Sequence, residues 1–561
     1  MRILLVANAY NSLSQRVHAE LRDRGHRTAV EVVRDGADIE RAVRDHGPEL
    51  VLAPMLTVRI PRAVWSRHRC LVVHPGPPGD RGPSSLDWAV HDRARTWGAT
   101  VLEAAEEMDA GTVWAWAPCP LPPLAKSDLY RGEVADAAVG AVLAAVERAA
   151  SPSRRPLPRQ PSGHRTRPWL RQEHRAIDWA ADGTDSVLRA LRAADSRPGV
   201  LDTLLGGEWY LHGGHPEDTL RGRPGELLAT RCGAVCRATR DGAVWIPQLR
   251  PRRLPGHPAG LKLPAVLALG DRLPPLPEVP APLRPGPGRT WREIAYHEDG
   301  PVGRLEFSFA GGAMGADQCR RLLAAYRAAC ERPTAVLVLG GGRDFFSNGI
   351  HLGLIEAAAD PAAASRENLD AMNDLVEAVL TTTDRLVVAA LGGNAAAGGV
   401  MLALAADEVW CRSGAVLNPH YRRMGLYGSE YWTYSLPRRV GPERAERLTG
   451  RAEPVTAAAA RDMGLVDQVV DCGPGAFPAR ITRSAARLAA LPATRRRIVA
   501  KKADREAQEA AKPLAAYRDE ESARMNRIFD DPHAPYHALR RAFVRGERPP
   551  AAAVARAEGG C

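Results

Sequence analysis

Several common enzyme signatures are missing from this chain. It has no GxxxxGK[ST] phosphate loop, no GxGxxG, no HExxH and no GxSxG. The P-loop, dinucleotide-binding, zincin and serine-hydrolase readings therefore lose their usual sequence support. Aromatics are scarce at 5%, while alanine and arginine abound, a bias of genome composition rather than of fold. The nine cysteines (Cys70, Cys119, Cys232, Cys236, Cys319, Cys330, Cys411, Cys472 and Cys561) are odd in number and scattered. That argues against a disulfide framework and for a reducing cytoplasm. Only Cys232 and Cys236 lie close together, and no second pair follows, so no metal site is expected. Cys561 is the last residue, which leaves no prenylation box. The amino-terminal run MRILLVANAY lacks a long apolar region with a small-residue cleavage site, and reads as a first strand. Leu386 to Ala406 is free of charge for 21 residues, long enough to cross a bilayer. Its glycines (Gly392, Gly393, Gly398, Gly399) and few large apolar residues instead predict a buried strand, a turn and a core helix. No membrane association is expected. Lys and Arg number 76 against 65 Asp and Glu, a net charge of +11. Over this length that suits anionic small ligands, and no zinc-finger or RNP-type motif accompanies it, so no nucleic acid is expected.

Proline punctuates what is present. Pro152 to Pro168 is basic, proline-rich and unpatterned, and Pro274 to Pro287 holds seven prolines, too many for a central strand or helix. The chain divides into residues 1–165, 166–270, a linker over 271–287, and 288–561. An α/β multidomain protein follows. In the first block RILLVAN, TAVEVV, LVLAPML and CLVVHPG read as strands alternating with amphipathic helices. This predicts a doubly wound, largely parallel sheet with helices on both faces. Ligands of such sheets bind beyond the carboxyl ends of the strands. His74 sits at such an end, and Gln15 lies at the start of the helix after the first strand. The middle block has short strand-like runs with a hairpin turn at Asp241-Gly242, which fits a small β-barrel or sandwich. The third block opens with strands and ends in charged helices from about Leu488 to Val544.

VVHPGPPGDRGPSSLDWAV (Val72 to Val90) and EEMDAGTVWA (Glu106 to Ala115) together resemble the formyl-tetrahydrofolate-dependent formyltransferases. AIDW (Ala176 to Trp179) and RAADSRPGV (Arg192 to Val200) resemble the start of that family's carboxyl-terminal, OB-like barrel. The resemblance implies His74 and Asp109 as catalytic residues. It implies formyl-tetrahydrofolate as donor. Candidate cofactor-binding residues are Gln15, Ser196 and Arg131, which follows a helix cap at Ser127 or Asp128 and is either a fixed cation for an anionic cofactor or a solvated helix arginine. The chemistry agrees: formyl transfer passes through a tetrahedral oxyanion, which needs a cationic or hydrogen-bonding partner and a proton shuttle. An Asp that fixes an imidazole and stabilises imidazolium lets His serve both ends. One position departs from the family, which carries Asn two residues before the His; here it is Val72.

DFFSNGIHL (Asp344 to Leu352), ALGGNAAAGGVMLALAAD (Ala390 to Asp407) and VTAAAARDMGLVDQVV (Val455 to Val470) resemble the crotonase, or enoyl-CoA hydratase/isomerase, superfamily, with its ββα spiral and acyl-CoA substrates. By position, the backbone N–H groups of Ile350 and Gly398 are the expected oxyanion hole. The hydratase carboxylates are absent: Met401 stands at one position and the other falls near His420. In their place LNPHYRRMGLYGSEYWTYSLPRRVG (Leu417 to Gly441) carries Tyr421 and Glu430, the candidate acid and base.

The joined pattern resembles the HypX (HoxX) family of hydrogenase maturation factors across the whole chain. That family implies formyl transfer to the CoA thiol, then decarbonylation of formyl-CoA to carbon monoxide and CoA. The cofactors implied are CoA and formyl-tetrahydrofolate, with no metal. The partners implied are hydrogenase maturation proteins that receive CO in the cytoplasm. Two other readings stay open at this stage: a formyl-CoA or acyl-CoA hydrolase or isomerase coupled to a formyltransferase, and a non-catalytic assembly protein with degenerate domains.

Overall fold

A computed structural model describes residues 1–151, 153, 155–157 and 165–559. Most of the proline-rich boundary before residue 165, and Cys561, lie outside the described residues. The chain forms two compact units, Met1–Arg250 with Pro264–Val279, and Pro251–Leu263 with Pro280–Cys561.

The first unit opens with β1 (Arg2–Ala7), α1 (Ser12–Asp23), β2 (Arg27–Val32), α2 (Gly36–His46), β3 (Leu50–Met55) and β4 (Cys70–His74). After β4 come β5 (Thr96–Glu103), β6 (Val113–Pro120), α3 (Lys126–Arg131) and α4 (Glu133–Ala150). The sheet order is β2-β1-β3-β4-β5-β6. The first four strands run parallel, and β5 and β6 add antiparallel at one edge. Successive β1 side chains face opposite ways, as strand geometry requires. Ile3 and Leu5 pack with Val17 and Leu21 of α1 and with α4, whereas Leu4 and Val6 pack with Ile39 and Val43 of α2. Both faces are thus covered, as the near-continuous apolar runs predict. Asn11 and Asp35 cap α1 and α2 by accepting backbone N–H groups of Ser14 and Asp38.

The middle strands form two four-stranded sheets, and neither closes into a barrel. The small barrel or sandwich expected of this block is thus two open sheets. Pro247 separates Ala243–Ile246, in one sheet, from Gln248–Pro251, in the other. Having no N–H, it ends the first ladder and lets the chain cross over. Helix α5 (Thr184–Ala194) fills the space that closure would need. Its Val187, Leu188 and Leu191 share one core with Val200 and Leu211 of one sheet and Val235 and Val244 of the other. The hairpin turn falls at Thr239–Gly242, where the Thr239 N–H donates to the Gly242 carbonyl at 2.9 Å.

The second unit holds a sheet of β7 (Ile294–Asp299), β8 (Val302–Phe307), β9 (Val336–Gly340), β10 (Leu386–Leu391), β11 (Glu408–Arg412) and β12 (Gln468–Val470), in chain order. Only β7 pairs antiparallel. Leu337, Leu339, Val387 and Ala389 pack against α6 (Ala316–Cys330), α7 (Pro361–Leu380) and α8 (Gly398–Leu404). Their neighbours Val336, Val338 and Val388 pack on the other side, against Phe477 and Ile481. A three-stranded sheet, Ala395–Ala396, Val416–Asn418 and Val455–Thr456, completes the ββα arrangement. α9 (Trp432–Val440) and α10 (Leu514–Asp530) follow, α10 among the charged carboxyl-terminal helices. The uncharged Leu386–Ala406 stretch is β10, a glycine turn and α8. Among the described residues no helix is long and apolar enough to cross a membrane.

Candidate active sites

His74 is the last residue of β4 and is buried. Its Nε2 donates to Asp80 Oδ2 at 2.9 Å, and its Nδ1 faces Asp109 Oδ1 at 3.5 Å. The sequence analysis paired His74 with Asp109 alone and missed Asp80. The only sequence signal for Asp80 was its place six residues on in the same loop. The Pro75-Gly76 turn between them is pinned from three sides. Ser85 Oγ and Trp97 Nε1 each donate to the Pro75 carbonyl at 2.8 Å, and Thr100 Oγ1 donates to the Gly76 carbonyl at 2.7 Å. Glycine is required at 76, since a Cβ there would lie 2.5 Å from Asp80 Oδ2 and 2.6 Å from His74 Nε2. Asp109 has φ 58°, the left-handed region, and accepts the Gly82 N–H at 3.2 Å. Burial by itself would lower the His74 pKa. Hydrogen bonds and charge from Asp109 and Asp80 outweigh it and raise the imidazole to about 9. Asp109 is also buried, which raises its pKa, but His74 and the Gly82 N–H hold it below the usual carboxylate range. The resting imidazole is therefore a cation at neutral pH. Val72, on the same strand, offers no amide beside it.

The three candidate cofactor residues fall around α3. Gln15, in the first turn of α1, donates to the Tyr10 carbonyl at 2.9 Å. Arg131 ends α3 and pairs with Asp128 at 2.7 Å. Ser196 lies in a turn tied to the start of α3: Ser127 Oγ donates to Asp195 at 2.6 Å and Lys126 Nζ to the Arg197 carbonyl at 2.7 Å.

In the second unit the two glycine motifs are brought side by side. The Phe346 N–H donates to the Asn394 carbonyl at 3.0 Å, and the Ala396 N–H donates to the Ser347 carbonyl at 2.9 Å. A Cβ on Gly349 would lie 3.3 Å from the Gly398 nitrogen. The Ile350 and Gly398 N–H groups therefore sit at neighbouring turns. Among the described residues neither has a hydrogen-bond acceptor. Gly398 also opens α8, so the positive end of that helix lies there.

Against this turn sits Glu430. A Cβ on Gly398 would be 2.5 Å from the Glu430 carboxyl carbon, so only glycine allows the approach. The Tyr421 hydroxyl donates to Glu430 Oε2 at 2.8 Å, and both residues are buried. Burial pushes the Glu430 carboxyl up, against hydrogen bonds from Tyr421 and Ser429 that lower it. Burial and the Glu430 charge push the Tyr421 phenol well above its ordinary value. Met401 is buried in the core, and burial lowers the His420 imidazole to about 4, so neither position supplies a charged group. The sequence analysis missed Asn373 of α7, whose Oδ1 accepts the Glu430 N–H at 2.9 Å. Its one signal was a buried polar position within an apolar helix face. Among the described residues no cluster of His, Cys, Asp or Glu is arranged to hold a metal ion.

Residues 170–256 match the family described as formyl transferase, C-terminal domain, and residues 314–542 the family described as enoyl-CoA hydratase/isomerase. Fold and motifs thus define the class: a chain that joins a formyltransferase-type unit to a crotonase-type unit. The putative enoyl-CoA hydratase/isomerase YhaR of Bacillus subtilis is 32% identical over 173 residues, 30% of this chain and 66% of that protein. A longer match is hydrogenase maturation factor HoxX of Bradyrhizobium diazoefficiens, 47% identical over 97% of this chain and 94% of that protein. The crystal structure of HypX from Aquifex aeolicus in complex with tetrahydrofolic acid has a TM-score of 0.94 and 41% identity, covering 98% of this chain and 97% of that one. The chain belongs to the HypX/HoxX family of hydrogenase maturation factors.

Proposed function

We propose that this chain makes carbon monoxide for [NiFe]-hydrogenase maturation in two steps. In the first, residues 1–165, supported by 166–270, transfer a formyl group from formyl-tetrahydrofolate to the thiol of CoA. In the second, residues 288–561 split formyl-CoA into CO and CoA. The work is cytoplasmic, and the CO passes to hydrogenase maturation proteins. The observation that carries this reading is the buried Tyr421–Glu430 pair, 2.8 Å apart, against the turn that holds the Ile350 and Gly398 amides, which have no acceptor among the described residues.

Both sites fit their groups. His74 enters as imidazolium, and glycine at 76 lets the backbone pass close to the His74–Asp80 pair. His74 stabilises the oxyanion of the tetrahedral intermediate, while Asp80 and Asp109 hold the ring. Gln15, Arg131 and Ser196 hold the anionic and polar parts of the substrates. In the second unit, the Ile350 and Gly398 amides hold the thioester oxygen, and glycine at 349 and 398 permits the close approach. Glu430 removes the formyl proton. The C–H electron pair stays on carbon as the lone pair of CO, the C–S pair leaves with sulfur, and an oxygen lone pair closes the C–O triple bond. The proton on Glu430 returns to the departing thiolate, so atoms and charge balance. Tyr421 keeps its own proton and orients the carboxylate. Burial excludes water that would divert the thioester to formate.

The test is incubation of the full chain with formyl-tetrahydrofolate and CoA, with haemoglobin as the CO detector. CO in step with tetrahydrofolate supports the reading. Formate without CO identifies a hydrolase and refutes it.

A further inference from the structure

Glu430 is held in a conformation that its own residue type disfavours. Glu430 has φ 59° and Tyr431 φ 58°. Two successive left-handed residues without glycine are costly, and persist only where the surroundings over-determine them. The surroundings are visible. Asn373 of α7 accepts the Glu430 N–H at 2.9 Å, and Glu521 of α10 accepts the Tyr431 N–H at 2.9 Å. The other Glu521 oxygen accepts the Thr433 N–H at 2.8 Å and the Thr433 hydroxyl. The Tyr431 hydroxyl donates to Glu377 of α7 at 3.0 Å, and Arg518 of α10 donates to Glu377 at 3.0 Å. Glu521 is 1% exposed and has no cationic partner among these contacts. A buried carboxylate is costly, and a helix start can be capped by a neutral Ser or Asn.

We infer that Glu521 is a positioning residue for the decarbonylation site: it clamps the Tyr431 and Thr433 N–H groups and so keeps Glu430 turned toward Gly398. The inference rests on the reading of Glu430 as the base. Glu521 does not touch Glu430 by a hydrogen bond; it acts through the backbone N–H groups of Tyr431 and Thr433. The groups that face it are Tyr431 and Thr433 at the start of α9, with Glu430 and Tyr421 just beyond. From its own helix comes Arg518, itself paired with Asp374 and Glu377 of α7. Burial pushes the Glu521 carboxyl up to about 7; the Thr433 hydrogen bonds oppose the rise and the Glu430 charge adds to it. The Glu430 charge thus bears on Glu521, while the Glu430 carboxyl is itself governed by burial and by Tyr421 and Ser429.

The experiment measures CO release from supplied formyl-CoA by the full chain, with Glu521→Gln, Glu521→Ala and Glu430→Gln beside the wild type. Glu521→Gln keeps one acceptor but no charge. It should leave KM within about twofold and lower kcat about ten- to a hundred-fold through misaim of Glu430. Glu521→Ala should lose more, and formyl transfer to CoA should be unchanged in both. A merely structural cap would lower the folded fraction and leave kcat per folded enzyme unchanged. Wild-type kcat in Glu521→Gln would overturn the inference, as would losses that only track the unfolded fraction. If Glu430→Gln released CO normally, the reading of Glu430 itself would have failed, whatever Glu521 does.

Discussion

Raising the pH should unload the ion pair around His74. In the folded chain the imidazole is raised to about 9, from an ordinary 6.5. Because the folded value lies above the unfolded one, protonation stabilises the folded state. That stabilisation is complete below about pH 6.5 and is lost as pH rises through about 9. Its full size is about 3 kcal/mol, at about 1.4 kcal/mol for each pH unit between the two values, and burial spares it solvent screening. The acid side is set by Asp109, held below its unfolded value, so its contribution is present above about pH 4 and fades as pH falls through the folded pKa. The assay compares wild type with His74→Gln by urea denaturation at pH 6, 7.5 and 9.5, with hydrogen exchange on peptides from β4 and β5 to assign the loss to this unit. The stability gap between the two proteins should shrink with rising pH, and formyl transfer should fade above about pH 9. Parallel stability curves across this range would refute the argument, because they would mean that His74 binds no extra proton on folding.

The other outcomes concern the division of labour and the second site. His74→Ala should block formyl transfer yet leave CO release from supplied formyl-CoA intact; loss of both activities together would sink the two-site scheme. Glu430→Gln should still make formyl-CoA while CO output falls about two to four orders of magnitude, the usual share of general acid–base catalysis, read by haemoglobin spectra. Tyr421→Phe should lose less than Glu430→Gln, since the phenol orients and does not give up its proton. Gly398→Ala puts a Cβ 2.5 Å from the Glu430 carboxyl carbon, so CO release should collapse. A crystal structure of that variant should show the carboxylate displaced, and an unmoved carboxylate with full activity would contradict the packing argument.

Much of this molecule is written locally. The alternation of β1 to β4 with α1 and α2 follows from residue periodicity, because a strand repeats every two residues and a helix about every 3.6. His74 at the end of β4, and the glycine turns at Gly349 and Gly398, follow from short motifs whose constraint is also local. The partners of these residues are another matter. That Asp80 approaches the His74 ring more closely than Asp109 depends on how two loops fold over one strand end. That the middle strands stay open depends on Pro247 and on a helix filling their interior. Glu521 reaches Tyr431 across 90 residues of chain, from a helix whose sequence reads only as charged surface. No periodicity marks which of many carboxylates becomes buried. Desolvation and charge coupling arise only when distant segments pack, so the pKa values, the left-handed turn at Glu430 and its aim toward Gly398 belong to the tertiary structure.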